Sequence, residues 1–165
     1  MNIIIVDDDT LVTEALKTIL ESSGKVTVTA TGSDGTDAVR LYKKFKPDIL
    51  LTDIQMKEMS GLDATKEILS FDNTAKILLL TTFLDDEYIV TALKYGAKGY
   101  ILKQDYTAIV PALEAVYSGQ SVFGTEIISK LPELLNKKHE FDYSDYDINE
   151  RELEVIKEIA DGHSN

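Results

Sequence analysis

The sequence predicts a doubly wound α/β fold: five parallel strands with helices between them, followed by a helical C-terminal extension. Two observations carry this. Short apolar runs alternate with segments of helical spacing through five rounds, the sequence form of repeated βαβ units. Four of the runs also end on charged or hydroxyl residues: 3–6 on Asp7, Asp8 and Asp9, 48–52 on Asp53, 77–80 on Thr81 and Thr82, and 100–102 on Lys103. If the runs are parallel strands, those ends share one edge of the sheet, where ligands bind in open α/β folds.

Each element follows in order. After the first strand, 10–22 places Val12, Ala15, Leu16, Ile19 and Leu20 on one helical face, with Gly24 as a stop. Residues 25–30 alternate valine with polar residues, as a strand does. Helical spacing returns over 34–45 through Ala38, Val39, Leu41 and Tyr42, and Pro47 introduces the third strand. Gly61 breaks the loop after Asp53, before a helix over 62–70. Asp85, Asp86 and Glu87 place three acids where a helix N-terminus favours them, and Gly96 and Gly99 end that helix before the fifth strand. The last helix of the sheet unit, 106–118, offers Ile109, Ala112, Leu113, Val116 and Tyr117, and Gly119 closes it.

At 165 residues the chain exceeds a typical domain only slightly, so one packed domain with an appendage is expected. The net charge of -12 argues against a broad basic surface for nucleic acid, and residues 121–165 carry half of it, which marks a change of unit near residue 120. Beyond that point, 125–136 reads as a helix interrupted by Pro132, 137–147 as an acidic linker, and 149–160 as a further helix. Absence of cysteine excludes thiolate metal sites and cysteine nucleophiles. No run reaches membrane-spanning length and the opening run is too short for a secretory signal, so a cytoplasmic protein without membrane contact is expected. His139 and His163 have no partner at ligand spacing.

Val6-Asp7-Asp8, the lone Asp53 within L-T-D-I-Q-M-K-E-M-S-G at 51–61, Thr81-Thr82, and Tyr100-Ile101-Leu102-Lys103 together resemble the receiver domain of two-component response regulators, over residues 1–120. The resemblance implies a flavodoxin-like sheet of order 2-1-3-4-5. It makes Asp53 the phosphoacceptor that takes a phosphoryl group from the phosphohistidine of a sensor histidine kinase, which is covalent catalysis by a carboxylate. Asp8 and Asp53 would ligate Mg²⁺ directly, the Gln55 backbone carbonyl would add a third oxygen, and Asp7 would act through water, a ligand set that suits Mg²⁺. Lys103 would pair with a phosphoryl oxygen and the Thr81 hydroxyl would donate to another. Thr82 would shape access, and Tyr100 would enter the space that Thr81 vacates. The resemblance further implies homodimerisation on phosphorylation.

Residues 148–165, I-N-E-R-E-L-E-V-I-K-E-I-A-D-G-H-S-N, resemble the opening of the helix-turn-helix domain of LuxR/FixJ (NarL-type) transcription regulators. A recognition helix is expected beyond this stretch, so DNA would be bound only through the missing part and no residue of this chain is expected to contact it. Lys57 stands where the family usually has proline. Gln104 follows Lys103 where many receivers have a cis proline.

Blander readings exist for each piece: Asp8 and Asp9 as helix caps, Asp53 as a turn carboxylate, the threonines as strand formers, Tyr100 as core and Lys103 as a solvated strand end. Two rival functions also remain open. One is an aspartyl-phosphate, Mg²⁺-dependent phosphatase, whose D-x-D-x-T/V pattern fails at Leu11. The other is an interaction module that works without phosphorylation.

Overall fold

The computed structural model describes residues 1–136 and Val155. The expected linker over 137–147 and, Val155 apart, the expected helix-turn-helix opening over 148–165 lie outside the described residues, as do His139 and His163. The elements run β1 (Asn2–Val6), α1 (Thr10–Ser22), β2 (Thr27–Gly32), α2 (Gly35–Phe45), β3 (Ile49–Asp53) and α3 (Gly61–Phe71). They continue with β4 (Ile77–Thr81), α4 (Asp86–Tyr95), β5 (Gly99–Leu102), α5 (Tyr106–Tyr117), β6 (Val122–Phe123) and α6 (Thr125–Asn136).

All strand pairs are parallel and the order is β2-β1-β3-β4-β5-β6, so the expected five-strand order is present with one strand added at its edge. The sixth strand is a correction to the expected count. Its two residues are too few for a periodicity to reveal, and only pairing with Gly99 and Tyr100 makes them a strand.

Because side chains alternate across a strand, the sheet divides its apolar residues between two layers. Ile4, Val6, Leu50, Ile77, Leu79 and Tyr100 face α2, α3, α4 and α6. Ile3, Ile5, Ile49, Leu51, Leu78 and Leu80 face α1 and α5. Every residue of β3 and β4 is buried, as expected of a parallel sheet covered on both sides.

Three sequence expectations shift inside this frame. In α1 the buried face is Thr13, Leu16 and Leu20, whereas Ala15 is exposed and Ile19 largely so. Thr13 can be buried because its hydroxyl donates to the Asp9 carbonyl at 3.1 Å, which satisfies its polar atom within the helix. Tyr117 lies outside the α5 core, exposed beneath the Lys76 ammonium, 5.4 Å from its ring centroid. Pro132 does not interrupt α6. The proline removes one rung of the helix ladder, but buried Ile127, Leu131 and Leu134 hold the segment against the core.

Those three residues share a cluster with Ile89, Ala92 and Tyr100. Beyond residue 120, β6 extends the sheet and α6 adds to the core layer that holds α4.

Candidate functional site

β1, β3 and β5 deliver their last residues to the same edge, and there Asp7, Asp8, Asp9, Asp53, Gln55, Thr82, Lys103, Gln104 and Tyr106 line a cleft of about 450 Å³. Local structure holds the walls. Asp9 caps α1, accepting from Leu11 N at 2.9 Å and Val12 N at 3.4 Å, so its carboxylate is directed into the helix start. Asp7 Oδ1 accepts from Asp9 N at 3.0 Å, which fixes the Asp7 side chain. At Gly61 the first turn of α3 is pressed against the end of β3: a Cβ there would lie 2.0 Å from the Asp53 carbonyl oxygen. Glycine at this position is required by that close approach.

Asp7, Asp8 and Asp53 each offer an oxygen, and those oxygens lie within 4.8 Å of one another. Lys103 reaches into the group, its Nζ 2.6 Å from Asp7 Oδ2 and 3.1 Å from Asp53 Oδ2. Asp7 Oδ2 is buried, and the Lys103 ammonium is its ion-pair partner. Burial pushes the Asp53 carboxyl above its ordinary range; Lys103 pulls it down and Asp7 pushes it further up. Burial alone would lower the Lys103 ammonium, but Asp7 and Asp53 outweigh it and hold the lysine charged, above the usual range.

Three converging carboxylates, two of them buried, suit a hard divalent cation. Gln55 lines the same cleft, and its side-chain amide nitrogen donates to Tyr88 Oη on α4 at 3.1 Å.

Two expected residues are not among those lining the cleft. Thr81 is buried at the end of β4 and its hydroxyl donates to the Phe83 carbonyl at 3.0 Å. Tyr100 is fully buried in the layer beneath α4 and α6; burial pushes its phenol up, while the neighbouring Thr81 side chain works to lower it. Thr82 lines the cleft. The Lys103–Gln104 peptide is trans, as is every described peptide bond.

The sequence marks Asp34 only as the start of a helix. The structure adds that it bonds to the turn after Asp53. A cap is legible as Asp-Gly before a helical run; a bond to a turn 24 residues away is not.

An open parallel sheet with an acidic cleft at its carboxyl edge defines a doubly wound α/β domain whose ligand site lies at that edge. Residues 3–114 match the response regulator receiver domain family, and the chain belongs to it. It is 37% identical over 172 residues to the oxygen regulatory protein NreC of Staphylococcus haemolyticus, spanning all of this chain and 79% of that protein. Among solved structures, a LuxR-family two-component response regulator from Aurantimonas sp. SI85-9A1 superposes with a TM-score of 0.77 at 31% identity, covering 80% of this chain and 95% of that one. The isolated receiver domain of RcsB from Salmonella enterica serovar Typhimurium, in the presence of phosphomimetic BeF₃⁻, gives 0.70 at 26% identity over 81% of this chain and 97% of the other. The chain is thus a two-component response regulator of the LuxR/NarL kind, in a group of transcription regulators. No helix among the described residues is long and apolar enough to cross a membrane.

Proposed function

We infer that Asp53 is the phosphoacceptor of a transcription-controlling switch fed by a sensor histidine kinase. The observation that carries this is the convergence of the Asp7, Asp8 and Asp53 oxygens on one point with the Lys103 ammonium against two of them. An Asp53 oxygen attacks phosphorus, the bond from phosphorus to the donor's histidine nitrogen breaks, and the imidazole leaves with that electron pair. Asp8, Asp53 and the Gln55 carbonyl would hold Mg²⁺, with Asp7 acting through water; when bound, the cation supplies the positive charge that lets two anions meet.

Lys103 then exchanges its carboxylate partners for a phosphoryl oxygen as a movable point charge. Thr81 must give up its bond to Phe83 O to donate to phosphate, and that exchange is the switch. Tyr100 lies in the same core layer as α4 and α6, so a shift at Thr81 has a packed route to both. Dimerisation and control of transcription form the output, and residues 1–120 with the α6 extension form the switching unit. Such a switch belongs in the cytoplasm, beside kinase and promoter.

Intact mass and light scattering, with and without acetyl phosphate and Mg²⁺, test the reading. A phosphoryl mass increment on wild type, none on Asp53→Asn, and a rise in molar mass are expected. Catalytic hydrolysis of p-nitrophenyl phosphate would favour the phosphatase reading instead. Unchanged mass and oligomeric state would favour a module that works without phosphorylation.

A further inference from the structure

The turn between β3 and α3, residues 54–60, contains Gln55 and Lys57 and is tied down from another element. Asp34, at the cap of α2, uses Oδ1 to accept from Thr36 N at 2.9 Å and Thr36 Oγ1 at 3.1 Å. Its second oxygen serves the turn: Oδ2 accepts from Glu58 N at 3.0 Å and Met59 N at 3.2 Å. Gly35 N donates back to the Met59 carbonyl at 3.0 Å, an approach so close that a Cβ on Gly35 would lie 2.5 Å from that oxygen. At the other end Gly61 N closes onto the Ile54 carbonyl at 2.9 Å. Gln55 lies inside the stretch that this bond closes.

Capping a helix needs one oxygen of Asp34, and the other is committed to the turn. Burial works to raise the Asp34 carboxyl, yet the amides of Thr36, Glu58 and Met59 outweigh it and keep the group below the usual range, so the turn is held by a charged acceptor. Lys57 leaves the turn without the fixed φ that a proline would impose, so its shape depends on such outside bonds.

We propose that Asp34 is a positioning residue for the cation site: through Glu58 and Met59 it sets the 54–60 turn, and with it the Gln55 carbonyl, at the rim of the Asp7–Asp8–Asp53 cleft. The inference rests on the metal-binding part of the proposed function and adds a residue outside the cleft to it.

Asp34→Ser separates the two tasks, because a serine hydroxyl still caps α2 but is too short to span to the turn. The test titrates Mg²⁺ alone onto the full chain by calorimetry and follows amide exchange at Glu58 and Met59 in metal-free protein. Wild type should bind Mg²⁺, Asp34→Ser should bind about ten-fold more weakly, and the two amides should exchange faster in that variant. A Leu131→Ala variant, destabilised far from the cleft, should keep wild-type affinity.

The inference is overturned if Asp34→Ser binds as wild type does, if its affinity falls while both amides stay protected, or if Leu131→Ala weakens binding equally. A wild type that does not bind Mg²⁺ overturns the metal reading itself, and this inference with it.

Discussion

Lys103 Nζ lies 3.1 Å from Asp53 Oδ2, the carboxylate at the centre of the cleft, while also contacting Asp7 at 2.6 Å. This lysine supplies the counter-charge for two buried acids. It therefore competes with any cation for the same oxygens. Lys103→Ala should bind Mg²⁺ about five-fold more tightly than wild type, from roughly 1 kcal/mol of relieved repulsion at a moderate effective dielectric. The same variant should accept phosphate from acetyl phosphate yet dimerise less. Calorimetry and light scattering check the two halves; weaker Mg²⁺ binding would count against the first, equal dimerisation against the second.

Asp53 is raised chiefly by burial, with Asp7 adding and Lys103 opposing. A carboxyl that titrates higher folded than unfolded binds more protons when folded, so its contribution to stability falls as pH rises through the folded value. Asp53→Asn removes that cost and should stabilise the metal-free fold by about 1 kcal/mol at neutral pH. Urea denaturation of both proteins measures it, and a less stable variant would refute the account.

Asp72 closes α3 and behaves in the opposite sense. The Thr74 hydroxyl donates to it at 2.6 Å and the Tyr42 hydroxyl at 2.8 Å, and these bonds hold its carboxyl below the usual range. Burial and the same acid push the Tyr42 phenol up. A depressed carboxyl stabilises above its unfolded value of about 3.9 and loses that contribution as pH falls through the folded one. Wild type should lose more stability than Asp72→Ala between pH 5 and pH 3, compared at equal ionic strength by denaturant titration; parallel losses would contradict the assignment.

Leu131 on α6 is 1% exposed and Lys130 beside it bridges to Asp86 at 3.0 Å with both partners partly solvated. Leu131→Ala should cost about 2 to 4 kcal/mol through lost burial and an unfilled cavity. Lys130→Ala should cost no more than about 0.5 kcal/mol, since exposed ion pairs contribute little. Thermal or urea unfolding ranks the two, and near-equal effects would show that apolar packing does not dock α6.

Much of the site was legible because the pleat and the parallel direction leave strand ends no choice of edge. As parallel strands, 3–6, 48–52 and 100–102 put Asp7, Asp53 and Lys103 on one edge of the sheet, whatever the loops do. Residues whose roles depend on a second element were not legible. Thr13 faces the core in place of Ala15 and Ile19 because one hydroxyl finds a carbonyl in its own helix, which spacing does not encode. Tyr100 and Thr81 carry no sequence mark of where their hydroxyls point.

Local pattern by itself thus determined the first five strands with the helices between them and the acidic edge, since burial period and strand polarity are properties of short segments. Tertiary structure alone decided that β6 and α6 close over Tyr100, that Gly61 lets α3 press on Asp53, and that Asp34 holds the neighbouring turn. Each of these is a contact between segments distant in sequence, formed only when the sheet has brought their backbones within hydrogen-bonding or van der Waals reach.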